Sequence, residues 1–157
     1  MFTFDENTPI RTILAHMMQG RNDASLCLSH GVLRNSSPLP DEIVRSQAGH
    51  CYASAGRLAF ARPKEYTYCE GWAQSSAGIP LQHAWCLDRR GNVVDPTWAY
   101  HKGAQYLGVP IKVTALSNHL LKKRTWGFFT AGVPKAFSAN PAAYIETNFF
   151  DETWDPS

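Results

Sequence analysis

Gln82-His83-Ala84-Trp85-Cys86-Leu87-Asp88-Arg89-Arg90-Gly91-Asn92-Val93-Val94-Asp95-Pro96-Thr97-Trp98 reads as two strands folded back on each other. Residues 82–88 and 92–95 hold aromatic and β-branched side chains that suit a pleated, half-buried surface. Arg89-Arg90-Gly91 between them has the form of a three-residue hairpin loop with glycine at the left-handed position. The loop length sets the register. If Asp88 pairs with Asn92, Trp85 falls opposite Asp95, and His83 shares a sheet face with Asp95 at a diagonal spacing of about 7–8 Å. An imidazole reaches a carboxylate over that span. A two-residue loop would place them on opposite faces, because strand side chains alternate.

Upstream of the hairpin, residues 65–71 carry aromatic and Thr side chains of strand type, and residues 73–80 form a small-residue loop containing Ser75-Ser76 and Gly78. Further upstream, Gln47-Ala48-Gly49-His50-Cys51 leads into an alanine-rich run, residues 52–62, that stops at Pro63. This predicts a buried helix beginning at or near Cys51. Unbonded amides and the positive end of the helix dipole favour a thiolate at such a position.

A thiol, an imidazole and a carboxylate therefore follow one another in fewer than fifty residues. A cysteine hydrolase or acyltransferase needs this set: Cys51 to attack a carbonyl carbon, His83 to hold and deliver the proton, and Asp95 to orient His83. The oxyanion of the tetrahedral intermediate needs donors. The Cys51 amide is the first, and the side chain of Gln47 or the ring of Trp72 is a candidate for the second. Trp72, Trp85 and Trp98 are candidates for a substrate groove.

Each residue also has a plainer reading. Cysteine is among the most often buried side chains, a strand histidine is commonly structural, and Asp before Pro is a frequent turn residue. Cys69 and Cys86 sit inside strand-like runs, where packing accounts for them. His50 neighbours Cys51, but adjacent residues on a helix do not share a face. Asp88 rivals Asp95 as orienter, yet it sits at the hairpin turn and, in the glycine-favoured register, on the face away from His83.

The order Gly-x-Cys (49–51), Tyr-x-x-Gly (68–71), His-Ala-Trp (83–85) and Gly-x-Val-x-Asp-Pro-Thr (91–97) resembles the core of the transglutaminase-like superfamily, a branch of the papain-like cysteine fold. The resemblance covers about a third of the chain. It implies that Cys51 opens a helix as nucleophile while His83 and Asp95 complete the triad from neighbouring strands. Cys86-Leu87-Asp88 departs from the family's more usual Val-Glu-Val after the Trp. The chain also has no extended second domain and no acidic calcium-binding cluster like that of animal transglutaminases, so calcium dependence is not expected.

The expected fold is α+β, with a papain-like, transglutaminase-like core in which N-terminal helices carrying Cys51 pack on an antiparallel sheet carrying His83 and Asp95. At 157 residues the chain suits one domain, residues 1–157. Its 44% hydrophobic and 18% charged residues are those of a folded protein. With net charge +2 and basic residues scattered apart from Lys122-Lys123-Arg124, no nucleic-acid partner is expected. The start, Met1 to Glu6, has neither the basic residues nor the apolar run of a secretory signal, and no stretch is apolar enough to cross a bilayer. A cytoplasmic protein with no membrane partner is expected. The four cysteines, at 27, 51, 69 and 86, form no C-x-x-C pair, so thiols are expected rather than disulfides, with no metal and no cofactor.

Around this core, residues 8–20 predict an amphipathic helix with Thr8 as cap, Pro9 first and Gly20 as stop. Residues 21–40 read as a long irregular connection into which Leu26, Cys27 and Leu28 contribute core side chains, and 41–46 as a short helical turn. Residues 109–113 predict a strand, Thr114 or Ser117 caps a short helix through Leu121, residues 126–129 read as another strand, and Asn140-Pro141 opens a last helix to about Phe149. Residues 151–157 are expected to fray.

The leading function is a peptidase or amidase that forms a thioester, its substrate a peptide, a protein or a small amide. Acyl transfer to an amine is the alternative within the same chemistry. A non-catalytic peptide-binding module of the same fold, and an interaction protein that sequesters a partner, are the alternatives outside it.

Overall fold

The computed structural model describes residues 2–5, 7–129 and 134–150. Along these the chain runs α1 (Ile10–Met17), α2 (Asn22–His30), β1 (Val32–Asn35), α3 (Cys51–Ala61), β2 (Thr67–Gln74), β3 (Pro80–Leu87), β4 (Val93–Val94), β5 (Gln105–Ile111), α4 (Val113–Lys123), α5 (Lys135–Ala139) and α6 (Pro141–Asn148). The α+β class is as expected. The strands form one antiparallel sheet in the order β1-β5-β2-β3-β4.

The hairpin has the register that its glycine favours. Cys86 faces Val94 and Leu87 faces Val93, and the Asp88 amide donates to the Asn92 carbonyl at 2.9 Å. Gly91 adopts φ +79°, a conformation in which a side chain would be strained. On β2, Gly71 lies opposite His83 on one side and Gly108 on the other.

Alternation then sorts the side chains. Tyr68, Trp72, Ala84, Cys86, Leu107 and Val109 face the helices and form the larger core with α1, α2, α3 and α4. Cys69, Ala73, Trp85, Leu87, Val93 and Tyr106 form a second cluster, against which Trp98 packs. Both faces are covered along most of β2 and β3, so nearly all their residues are buried whichever way they point, Leu81 and Gln82 excepted.

Small residues let the elements approach. Ala55 and Ala59 bring α3 down onto β3, where the Cys86 thiol donates to the Ala55 carbonyl at 3.2 Å. The Trp85 indole crosses Gly108 so closely that a Cβ there would stand 2.5 Å from the ring.

Several expectations are corrected. Residues 21–40 are not an irregular connection but hold α2 and β1. Helix α2 is polar along much of its length, and tertiary contacts anchor it: Ala24, Leu26 and Cys27 are buried, while Asp23 accepts from Arg21 at 3.0 and 3.1 Å, from the Ala24 amide at 3.0 Å and from Gln82 at 2.5 Å. Thr8 is not the cap of α1. Its hydroxyl accepts from the Asp5 amide, and the free Ile10 amide donates instead to the Gln105 side chain of β5 at 2.9 Å.

Residues 41–46 make a turn rather than a helix, and Val113 begins α4 instead of ending a strand. Residues 126–129 are not a strand, because the Phe128 and Phe129 amides are taken by the buried Glu70 carboxylate rather than by a neighbouring strand. The last helix forms as expected, with Asn140 accepting from the Ala143 amide at 3.2 Å. The expectation for residues 151–157 lies outside the described residues. Among the described residues no helix is long and apolar enough to cross a membrane.

Candidate active site

Cys51 is the first residue of α3, as expected, and is 9% exposed. The amides of a helix's first turn have no partner within the helix, so they surround the thiol with donors. The approach to this position is held from two sides. Gly49 turns the chain at φ +88°, and Ser46 donates its amide to the Pro96 carbonyl at 2.7 Å while its hydroxyl bonds that of Ser54 on α3 at 2.5 Å. The Cys51 loop is thus tied to the residue that follows Asp95.

His83 stands on β3 and is 1% exposed. Its Nε2 bonds Asp95 Oδ2 at 2.7 Å, and its ring stacks on Trp98 with centroids 3.8 Å apart and planes 20° apart. With Nε2 committed to Asp95, Nδ1 is the ring atom left to face Cys51, which lies near enough to raise the titration of the imidazole. Burial works against a charged ring, but the hydrogen bond and charge of Asp95, together with the influence of nearby Cys51, outweigh it and lift the titration of His83 to about 9.

Asp95 follows β4 and is held by both oxygens. Oδ2 accepts from His83 and, at 2.7 Å, from the Tyr106 hydroxyl of β5. Oδ1 accepts from the Thr97 amide and hydroxyl, each at 3.0 Å, and from the Trp98 amide at 3.2 Å. Burial pushes this carboxyl upward. The His83 bond and charge, with the Tyr106 hydroxyl and Thr97 amide, overcome that and hold it below its usual range.

The other sequence candidates fall elsewhere. Asp88 is occupied at the hairpin, accepting from the Arg90 and Asn92 amides at 2.9 Å. Cys27, Cys69 and Cys86 are buried thiols whose pKa is pushed up by burial. His50 is exposed at the cap position of α3.

Gln47 is exposed, and its carbonyl receives the His50 amide at 3.4 Å. Trp72, on the helix-facing side under the Arg21 guanidinium and 4% exposed, lines a narrow cavity with Tyr52, Gln82 and Phe129, while Trp85, 1% exposed, is a core side chain of the second cluster. Trp98 is half-buried against the His83 ring.

Sequence reasoning missed Tyr106 altogether, since nothing local marks a residue that meets Asp95 only across the sheet. It also missed how the loop grips Asp95, although Asp-Pro-Thr carries the signal: an Asp side chain commonly bonds the backbone two residues on. Among the described residues no group of three or more His, Cys, Asp or Glu side chains could hold a metal ion. The arrangement can store a proton on an imidazole between a thiol and a carboxylate. Comparison with protein-family models, curated proteins and solved structures finds no match to this chain.

Proposed function

We propose that this domain is a cysteine-nucleophile hydrolase of papain-like, transglutaminase-like type that cleaves an amide bond in a peptide, a protein or a small molecule. The observation that carries the reading is the buried line from Cys51 through His83 to Asp95. One imidazole stands beside a helix-start thiol and bonds a carboxylate that is itself held by Tyr106, Thr97 and Trp98.

The chemistry runs in two halves. Cys51 Sγ, its proton resting on His83, attacks the carbonyl carbon, and the oxygen gains charge facing the amides at the start of α3. As the tetrahedral species collapses the C–N bond breaks, His83 passes its proton to the departing amine, and a thioester remains on Cys51. His83 then takes a proton from water as the water attacks the thioester. The carboxylic acid leaves, and its formation returns the thiol and imidazole to their starting state. Asp95 keeps the ring oriented and stabilises its charged form throughout.

The test is the rate of iodoacetamide labelling of each cysteine between about pH 5 and pH 9, read by mass spectrometry in the native chain and in His83→Ala. Cys51 is expected to label fast at acidic pH and to lose that reactivity without His83, while Cys27, Cys69 and Cys86 stay protected. Equal labelling of Cys51 in both chains would remove the hydrolase reading and leave the non-catalytic binding module.

A further inference from the structure

Strand β3 pairs with β2 along its whole length, but β4 covers only its last two residues, Cys86 and Leu87. Among the described residues, 80–85 have no strand on their outer side. Alternation of the ladder says which backbone groups point there. At the β2–β3 turn the Ser75 amide donates to the Ile79 carbonyl at 2.9 Å, so two-residue steps from Ile79 make Leu81, His83 and Trp85 the residues that bond β2. At the other end the Asp88 amide donates to the Asn92 carbonyl, so Cys86 bonds β4. Both ends agree: the N–H and C=O groups of Gln82 and Ala84 face outward. Pro80, which has no N–H, stands in the same outward phase, where proline is tolerated. Ala84 is buried in the larger core, whereas Gln82 is exposed, and among the described residues no backbone partner outside the sheet meets its N–H or C=O.

This open edge is where thiol and imidazole meet. His83 shares a sheet face with Leu81 and Trp85, while Cys51 opens α3, which packs on the opposite face through Ala55 and Ala59. Since β2 closes the inner side of β3, Cys51 comes beside His83 around the outer side. Leu81 and His83 lie roughly 7 Å apart on one face, with Ile79 at the turn before them. Ile79 and Leu81 are 48% and 46% exposed, so an apolar approach leads to the imidazole.

We propose that the substrate is an extended peptide segment that adds to β3 as a short strand at Gln82. Its backbone accepts from the Gln82 N–H and donates to the Gln82 carbonyl, its side chains on one face lie along Leu81 and Ile79, and its scissile carbonyl is carried to Cys51. Main-chain bonds give such pairing its strength, and the exposed isoleucine and leucine favour apolar side chains. This rests on the hydrolase reading and narrows its substrate to unfolded or loop peptide, because a helix has no free backbone to offer and a small amide has no flanking chain.

The test is the rate at which acetyl-Ala-Val-Ala chloromethyl ketone alkylates Cys51 in the full chain, read by mass spectrometry, against the same reagent methylated at its peptide nitrogens. The native chain should react on the order of tenfold faster with the unmethylated reagent. Gln82→Pro removes the outward N–H and leaves the β2 ladder intact, with Gln82→Ala as reference for the lost side chain. Relative to that reference, Gln82→Pro should lose most of the difference between the reagents. Equal rates for the two reagents in the native chain, or a difference as large in Gln82→Pro as in Gln82→Ala, overturns the proposal. If Gln82→Pro does not fold, the native comparison decides alone. Iodoacetamide carries no peptide arm, so its rate reports thiol and imidazole only. Labelling by it that depends on His83, together with equal rates for the two peptide reagents, removes the strand pairing and leaves the hydrolase reading standing.

Discussion

Asp95 and His83 depend on each other for their protonation states. A carboxyl taken out of water is normally driven toward its neutral form, yet Asp95 is held ionised because His83, Tyr106 and Thr97 all donate to it. Asp95→Asn keeps the volume and removes the charge. The His83 titration, followed by its ring proton resonances, should then fall from about 9, and turnover of an amide substrate should drop on the order of a thousandfold. On the proposed hydrolase chemistry, turnover by the native chain should decline as pH rises through about 9, because His83 then lacks the proton that the departing amine needs. Tyr106→Phe removes one donor from a buried carboxylate that keeps its others. It should cost about 1 kcal/mol in urea unfolding, with a smaller effect on turnover than Asp95→Asn.

The elements matter because the three groups come from separate pieces of chain: the start of α3, the middle of β3 and the residue just after β4. What aligns them is close approach. Ala55 and Ala59 seat α3, the Gly91 loop sets the β3–β4 register, and Gly108 leaves room for Trp85 beneath the His83 ring. Gly108→Ala should displace the Trp85 indole and cost about 1–3 kcal/mol, measured by chemical denaturation, because the ring is enclosed and cannot swing away. The helix and the hairpin were legible in the sequence, since an alanine-rich run after Cys51 and a glycine-ended turn are local signals. Helix α2 was not, because its stability comes from what Asp23, Leu26 and Cys27 meet in the folded chain rather than from its own polar sequence.

For the molecule as a whole, the buried ionisable groups set an unusual dependence of stability on pH. Asp95 is depressed below its ordinary 3.8, so its contribution is present above that value and is lost as pH falls through its lower folded value. Glu70 is raised from 4.5 to about 7, so its contribution is complete below 4.5 and is lost as pH rises through about 7. His83 is raised from 6.5 to about 9, so its contribution is complete below 6.5 and is lost as pH rises through about 9. Thermal stability should therefore be highest at about pH 4–5 and decline toward pH 9, as scanning calorimetry over that range would show. Glu70→Gln should flatten the lower part of the decline and Asp95→Asn the upper part. A maximum near neutral pH would mean that these groups do not govern the profile.

By itself the sequence determined the α+β class, the helix that opens at Cys51, the hairpin that puts His83 and Asp95 on one face, and the order of thiol, imidazole and carboxylate. These rest on short-range rules: cap positions, turn length and the two-residue alternation of strands. Only the tertiary structure decided that Tyr106 and Trp98 hold the pair, that Trp72 and Trp85 are core, that α2 exists, and that residues 126–129 cover a buried carboxylate instead of forming a strand. In each of these cases the decisive partner lies far along the chain, and its effect is felt only once both groups have left water.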